Sequence, residues 1–346
     1  MSIEGKTHFE RVIGGTQEDR DKALQELQEM FENKSEVLMK HELEKTEEDI
    51  DIINRTASIV DEIVSEYGGE PKAIPIDKIH ILKPNSVYEM TGGKLASGIH
   101  KALSQNIGVE KRESNLLFSG SIAHELFHSK SYKSARIDNP SEGARLYRFG
   151  ISMTGKRNAD TEAEEERWYF SVLEEAIVSE CTNKFFDRVR PDSLFADEIK
   201  ASDMIRAWIT DFYRKSGMPE ERIKLISDEL KSVPGAQEIV ERTLSYSERE
   251  EQRSAFAAGI IGRLVEDKKI EGLGRYEERT KLYKLLDEII EKSGGEFKER
   301  EEIFAEFAKA NFSGKYFKIA RIIEGVLGEG SFRRLAEEFS TKPKRV

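Results

Sequence analysis

The chain has 346 residues, of which 38% are hydrophobic and 35% are charged, a composition typical of a globular protein with more helix than average. Its formal net charge of −11 argues against a nucleic-acid partner, because phosphate binding requires clustered positive charge. The first residues lack the apolar core of a signal peptide, and no later stretch is long and apolar enough to span a membrane, so we expect a cytoplasmic protein without membrane contact.

The first predicted elements are two helical segments. Residues 16–46 are strongly charged with sparse apolar positions, which is typical of a helical layer that faces solvent. Residues 47–69 show a clearer amphipathic pattern, because apolar residues between Ile50 and Val64 recur near helical spacing. Gly68 and the glycine after it end this pattern.

Short strands and two further helices are predicted in the middle of the chain. The composition changes at Pro71, beyond which short apolar runs favour strands. We expect strands at Ile79–Leu82, 107–111 and 144–155, helices over 114–131 and 167–189, and an exposed loop over 156–166.

Strand signals end near Pro191, and the remaining chain reads as amphipathic helices separated by Gly or Pro turns. The sequence therefore predicts an α+β fold in three regions. These are an N-terminal helical segment over residues 1–45, a mixed region over 46–190 and an all-helical C-terminal region over 191–346. The C-terminal helices are a candidate surface for a protein partner.

The most informative stretch is the pentapeptide HELFH, which begins at His124 within a predicted helix. His124 and His128 are four residues apart, so both imidazoles lie on one helix face and can reach a single ion. Zinc accepts such nitrogens at roughly 2.0–2.1 Å. Glu125 lies about 100° around the helix, where it can take a proton from metal-bound water. The alternative is a helix with two half-buried, hydrogen-bonded histidines.

A zinc ion that keeps one position open for water needs a third protein ligand. The predicted helix over 167–189 offers Glu175 or Glu174, and helical spacing does not separate these two residues. The single cysteine, Cys181, excludes an internal disulfide and a zinc site built on several cysteines. Its apolar neighbours predict a buried thiol.

The HELFH stretch and the later phrase Glu174-Glu175-Ala176 together resemble the gluzincin metallopeptidases, in particular the compact minimal gluzincins and related prokaryotic zincin-like proteins. In that group a short edge strand precedes the HExxH helix, and a later helix carries the third ligand in a phrase such as NEAxxxE. The resemblance covers roughly residues 50–190. It implies a zincin-like core with a small mixed sheet and two ligand-bearing helices, and it makes residues 106–113 the edge strand.

The resemblance also implies the roles of the site residues. His124, His128 and Glu175 would bind Zn²⁺, and Glu125 would be the general base of a metallopeptidase that hydrolyses a peptide bond. A peptide or protein substrate would lie extended along the edge strand between Gly108 and Lys111, as an added β-strand.

The chain departs from the family pattern at two positions. Glu174 precedes the ligand where asparagine is common, and Ser179 stands where an acidic residue often supports a histidine, with Glu180 one position late. The aromatic residues that flank the site, such as Tyr132, are expected to be structural. The competing hypothesis is a zinc-stabilised, non-catalytic interaction protein that uses its helical C-terminal region.

Overall fold

The computed structural model describes residues 9–33, 35–92, 96–157, 165–233, 235–246, 249–266 and 276–341. Within these ranges, no helix combines the length and the apolar character that crossing a membrane requires. The fold is mixed α+β, as the sequence predicts.

The strands are β1 (Arg11–Gly14), β2 (Ile79–Leu82), β3 (Gly98–Lys101), β4 (Asn106–Glu110), β5 (Lys133–Ile137), β6 (Arg145–Phe149), β7 (Ser152–Arg157) and β8 (Glu165–Tyr169). The helices of the first half are α1 (Gln17–Glu32), α2 (Glu36–Met39), α3 (Glu47–Glu66), α4 (Ser86–Met90), α5 (Asn115–Lys130) and α6 (Ser171–Val189). The helices of the second half are α7 (Ala196–Lys215), α8 (Glu220–Glu229), α9 (Ala236–Tyr246), α10 (Glu250–Glu266), α11 (Tyr276–Lys292), α12 (Arg300–Ser313), α13 (Phe317–Leu327) and α14 (Ser331–Glu338).

The smaller sheet has three strands in the order β2-β4-β3, with β4 parallel to β2 and antiparallel to β3. The prediction that residues 106–113 form an edge strand is therefore wrong. β4 is the central strand, and all five of its residues are buried. The edge strand is β3, a short Gly-Ile-His-Lys run whose sequence shows too little apolar alternation to mark it as a strand.

The larger sheet has the order β1-β5-β6-β7-β8, with β1 parallel to β5 and the other neighbours antiparallel. Strand β1 lies in the segment that the sequence predicts to be helical. The strand predicted over 144–155 is a hairpin of β6 and β7, which turns at Gly150 with a φ of +57°. This turn inside an otherwise continuous apolar pattern requires the left-handed backbone region that glycine adopts without strain.

Two further predictions near this hairpin need correction. The loop expected over 156–166 is partly strand, because Lys156 and Arg157 belong to β7 and Glu165 and Glu166 pair with them from β8. Residues 158–164 of that predicted loop lie outside the described residues. The helix expected from Arg167 begins only at Ser171, because the intervening residues pair with β7.

The main hydrophobic core joins both halves of the chain. It contains side chains from Ile52 on α3 to Phe339 after α14, and it includes the inner faces of α5, α6, α11 and α12. A second cluster is formed by α7, α9 and α10 around Ile205 and Trp208. The described part of 191–341 contains helices and no strand, although Thr341 makes one bridge to Trp168. The late helices α11 and α12 thus complete the core against which α5 and α6 pack.

The hairpin turn predicts a large cost for one substitution. A Cβ on Gly150 would lie 2.0 Å from Asn311 Oδ1. We expect Gly150→Ala to lose about 1–2 kcal/mol of unfolding free energy from backbone strain and a further ~1–3 kcal/mol from overlap. Gly217→Ala is the matched control, because its φ is +78° and a Cβ there meets nothing within 4 Å. Equal losses in urea unfolding would refute the steric part of this explanation.

Candidate metal centre

The N-terminal end of α5 is held by a carboxylate from α7. Ser114 caps the helix, because its Oγ accepts a hydrogen bond of 3.0 Å from Leu117 N. Glu198 accepts hydrogen bonds from Asn115 N at 3.1 Å and from Leu116 N at 3.4 Å. A negative charge at this end stabilises the helix, since the unpaired N–H groups there carry partial positive charge.

The C-terminal end of α5 is held by the buried amine of Lys133 on β5. Its Nζ donates to the carbonyl oxygens of Ser131 at 3.2 Å and His128 at 3.4 Å, and also to that of Ser129. These carbonyls form the negative end of the helix and favour a cation. Complete burial nevertheless lowers the pKa of Lys133 to about 7, because the charged form loses its hydration. Both ends of the helix that bears the histidines are therefore anchored.

Helices α5 and α6 bring three donor atoms to one point. His124 Nε2 and His128 Nε2 lie 3.0 Å apart. Glu175 Oε1 lies 3.3 Å from His124 Nε2, and Glu175 Oε2 lies 3.3 Å from His128 Nε2. A tetrahedral ion that binds its ligands at roughly 2.0–2.1 Å separates them by about 3.3 Å. The three side chains thus have the spacing of a zinc site, and both histidines are only 8% exposed.

The Nδ1 atoms of the two histidines face hydrogen-bond acceptors. His128 Nδ1 lies 3.1 Å from Oε1 of the buried Glu174, and His124 Nδ1 lies 3.2 Å from Thr182 Oγ1. The Thr182 hydroxyl donates its own hydrogen to Val178 O at 2.9 Å, so its oxygen accepts from His124. Each Nδ1 therefore carries a proton, and in a neutral imidazole the Nε2 then bears a lone pair.

This tautomer assignment explains why the site favours a cation. Two Nε2 lone pairs and the Glu175 carboxylate converge within hydrogen-bond distance of one another. Electron-rich atoms at this separation repel unless a positive charge lies between them. Partners that fix the tautomer through the far nitrogen are typical of metal-binding histidines. We conclude that these residues could hold a metal ion that accepts nitrogen and oxygen ligands.

Glu125 follows His124 on the same helix. Its side chain is 6% exposed and lies against Gly98 of the edge strand β3. His124, Glu125 and His128 lie on a single helix, as predicted, and this helix determines their directions.

The two adjacent glutamates of α6 have different contacts. Glu175 faces both Nε2 atoms, whereas Glu174 contacts the opposite nitrogen of His128 and so supports a ligand. Glu180 lies away from the histidines, because it accepts hydrogen bonds from Tyr283 Oη at 2.6 Å and from Arg279 Nε at 3.2 Å. The family pattern places an acidic residue that supports a histidine four positions after the third ligand. In this chain the carboxylate that contacts a histidine Nδ1 is that of Glu174, one position before Glu175.

Sequence reasoning missed the contribution of Thr182. Its only signal is position: it lies one helical turn after Val178, on the face of α6 that meets α5. The ring of Tyr132, for which a structural role is predicted, packs against the guanidinium of Arg148 at 4.7 Å. The Cys181 thiol is also fully buried as expected, and burial raises its pKa.

Comparison of the chain with models of protein families, with curated proteins and with solved structures found no match. The geometry of the described residues therefore carries the functional argument.

The hydrogen bond from His128 to Glu174 yields a graded prediction. We expect one zinc ion per wild-type chain and loss of tight binding in His128→Ala. Glu174→Ala should weaken zinc affinity about 10–100-fold, because the imidazole loses the acceptor that orients it. Glu174→Gln should weaken it less, since the amide oxygen still accepts the Nδ1 proton. Competition with a chromophoric chelator measures all three, and unchanged affinity in Glu174→Ala would contradict the proposed support.

Proposed function

We propose that this protein is a zinc-dependent peptidase. One observation carries the proposal: two Nε2 atoms and the Glu175 carboxylate converge at a spacing that could hold a metal ion, and the buried Glu125 follows His124 on the same helix. Zinc bound by His124, His128 and Glu175 would polarise a carbonyl group and lower the pKa of a bound water toward neutrality. Three protein ligands leave a fourth position of a tetrahedral ion for that water.

In this proposal Glu125 is the general base. Its place in the helix, about 100° around from His124, lets its carboxylate lie beside the ion without binding it. The carboxylate accepts a proton as water attacks the peptide carbonyl, and it returns that proton to the leaving amine. Hydrolysis of an amide is thereby complete, because water supplies both the oxygen of the new acid and the proton of the new amine.

The edge strand β3 supports an extended peptide as the substrate. Ser97 O accepts a hydrogen bond of 2.8 Å from Glu110 N, which fixes the register of β3 against β4. Bonded residues alternate in an antiparallel pair, so the N–H and C=O groups of Gly98 point away from β4. A peptide that adds to this edge as another strand would pass directly beside Glu125. The substrate-binding strand is thus β3 in place of the Gly108–Lys111 segment.

The competing function is a zinc-stabilised interaction protein without catalysis. The separate cluster of α7, α9 and α10 favours it, because these helices form a hydrophobic unit distinct from the core around the metal ligands. That function needs the three ligands but has no use for Glu125. Loss of the Glu125 carboxylate should therefore abolish the activity of a peptidase but leave the binding of a partner by an interaction protein unchanged.

The first functional test is Glu125→Gln. We expect this variant to bind one zinc ion with wild-type affinity and to lose about 10²–10⁴-fold in kcat on peptides selected from a broad library, because the base is absent. Glu113→Gln, which alters an exposed glutamate just before α5, is the control with the same charge change. Equal peptide cleavage by Glu125→Gln and wild type would exclude the proposed base.

Strand addition gives a second test with modified substrates. The substrates are variants of one peptide, and each variant carries a single backbone N-methyl group at a different position. We expect methylation to weaken kcat/KM about 5–10-fold at alternate positions, because each lost main-chain hydrogen bond contributes about 1 kcal/mol. The intervening positions should tolerate the methyl group, since their N–H groups point away from β3. A uniform effect along the peptide would argue against binding as a strand.

A further inference from the structure

The backbone of β3 approaches the Glu125 side chain more closely than any residue with a Cβ would allow. A Cβ built on Gly98 would lie 2.6 Å from both Glu125 Cγ and Glu125 Oε1, and 2.9 Å from Cδ. Carbon atoms in non-bonded contact prefer separations of about 3.5–4.0 Å. The Glu125 carboxylate therefore occupies the space that a side chain at position 98 would take.

Neighbouring contacts hold this arrangement in place. Ser97 Oγ lies 3.0 Å from Ser121 Oγ, one turn before Glu125 on the same face of α5. Gly98 pairs with Val109 of the central strand, and this pairing fixes the position of Gly98 within the sheet. The helix is anchored at both ends by Glu198 and Lys133, so neither backbone can withdraw freely.

We infer that Gly98 is a positioning residue for Glu125: its missing side chain lets the carboxylate lie against the backbone of the edge strand β3. The steric part of this inference is independent of the reaction, and its catalytic consequence rests on the proposed function. A methyl group at position 98 would push the carboxylate away from the edge strand. The imidazoles of His124 and His128 contact Glu175 on α6 through their Nε2 atoms and would remain in place.

A substitution at Gly98 therefore separates metal binding from catalysis, two properties that a general disruption of the site would abolish together. Gly98→Ala should leave the metal ligands intact while displacing the proposed base. Gly108→Ala is the matched control in the same sheet, because its Cβ would meet Leu82 Cδ1 at 2.8 Å and Leu38 Cδ2 at 2.9 Å. Those side chains belong to a small apolar cluster that does not include Glu125.

The first experiment measures the overlap without metal or substrate. The Tm of the metal-free full chain is compared for Gly98→Ala in the wild-type and in the Glu125→Ala background. We expect a loss of about 2–4 °C in the first, from overpacking, and of less than about 1 °C in the second, where the overlapping atoms are gone. Gly108→Ala should lower the Tm equally in both backgrounds.

Two outcomes of this double-mutant comparison of Tm values decide the steric inference. An equal loss of Tm from Gly98→Ala in both backgrounds overturns it. If Gly98→Ala alone fails to fold, recovery of the fold in the Gly98→Ala/Glu125→Ala double variant supports the inference, and failure of both overturns it.

The second experiment measures the consequence for catalysis. Gly98→Ala should bind zinc within about threefold of wild-type affinity and lose kcat about 10²-fold or more, with the loss absent when Glu125 is already glutamine. Independent, multiplicative losses in the double variant would show that Gly98 acts on something other than Glu125. If zinc-loaded wild type cleaves no peptide, the proposed function fails. The comparison of Tm values still decides whether Gly98 makes room for the Glu125 side chain.

Discussion

The structure around the candidate centre depends on one electrostatic constraint. Two imidazole Nε2 atoms lie 3.0 Å apart, each opposite a carboxylate oxygen, while their Nδ1 atoms face acceptors at Glu174 and Thr182. With both imidazoles neutral and their protons on the far nitrogens, lone pairs converge on a point that a cation stabilises. The supporting groups are as important as the ligands, because a rotated or alternatively protonated imidazole would relieve the repulsion without any ion.

The C-terminal helices contribute to this constraint through packing. Helix α12 places the buried Asn311 against the end of α5, where its Nδ2 donates to Ser131 Oγ at 2.9 Å and its Oδ1 accepts from Ile151 N at 3.0 Å. Helix α11 holds Glu180 away from the histidines through Arg279 and Tyr283. The second half of the chain is thus part of the structure that fixes α5 and α6, since all of these helices share one hydrophobic core.

His124, His128 and Glu125 all project from α5 but contact different neighbours. The histidines contact Glu175 of α6, and Glu125 contacts Gly98 of β3. In the proposed function, this division would let a single helix hold an ion and still present a carboxylate to an extended chain at the sheet edge. The proposed active site therefore includes the backbone of β3 as well as the metal ligands.

The sequence by itself determined the features that one helix controls. The spacing of His124, Glu125 and His128, the extent of their helix and the burial of Cys181 follow from local periodicity and composition. Helical spacing did not separate Glu175, which the resemblance favoured, from Glu174, because neighbouring residues on α6 differ by about 100° in direction. Their different contacts with the histidines depend on how α6 packs against α5. Only the tertiary structure decided that β3 is the edge strand and that residues 144–155 form a hairpin, since strand order and turns depend on long-range pairing that local patterns do not encode.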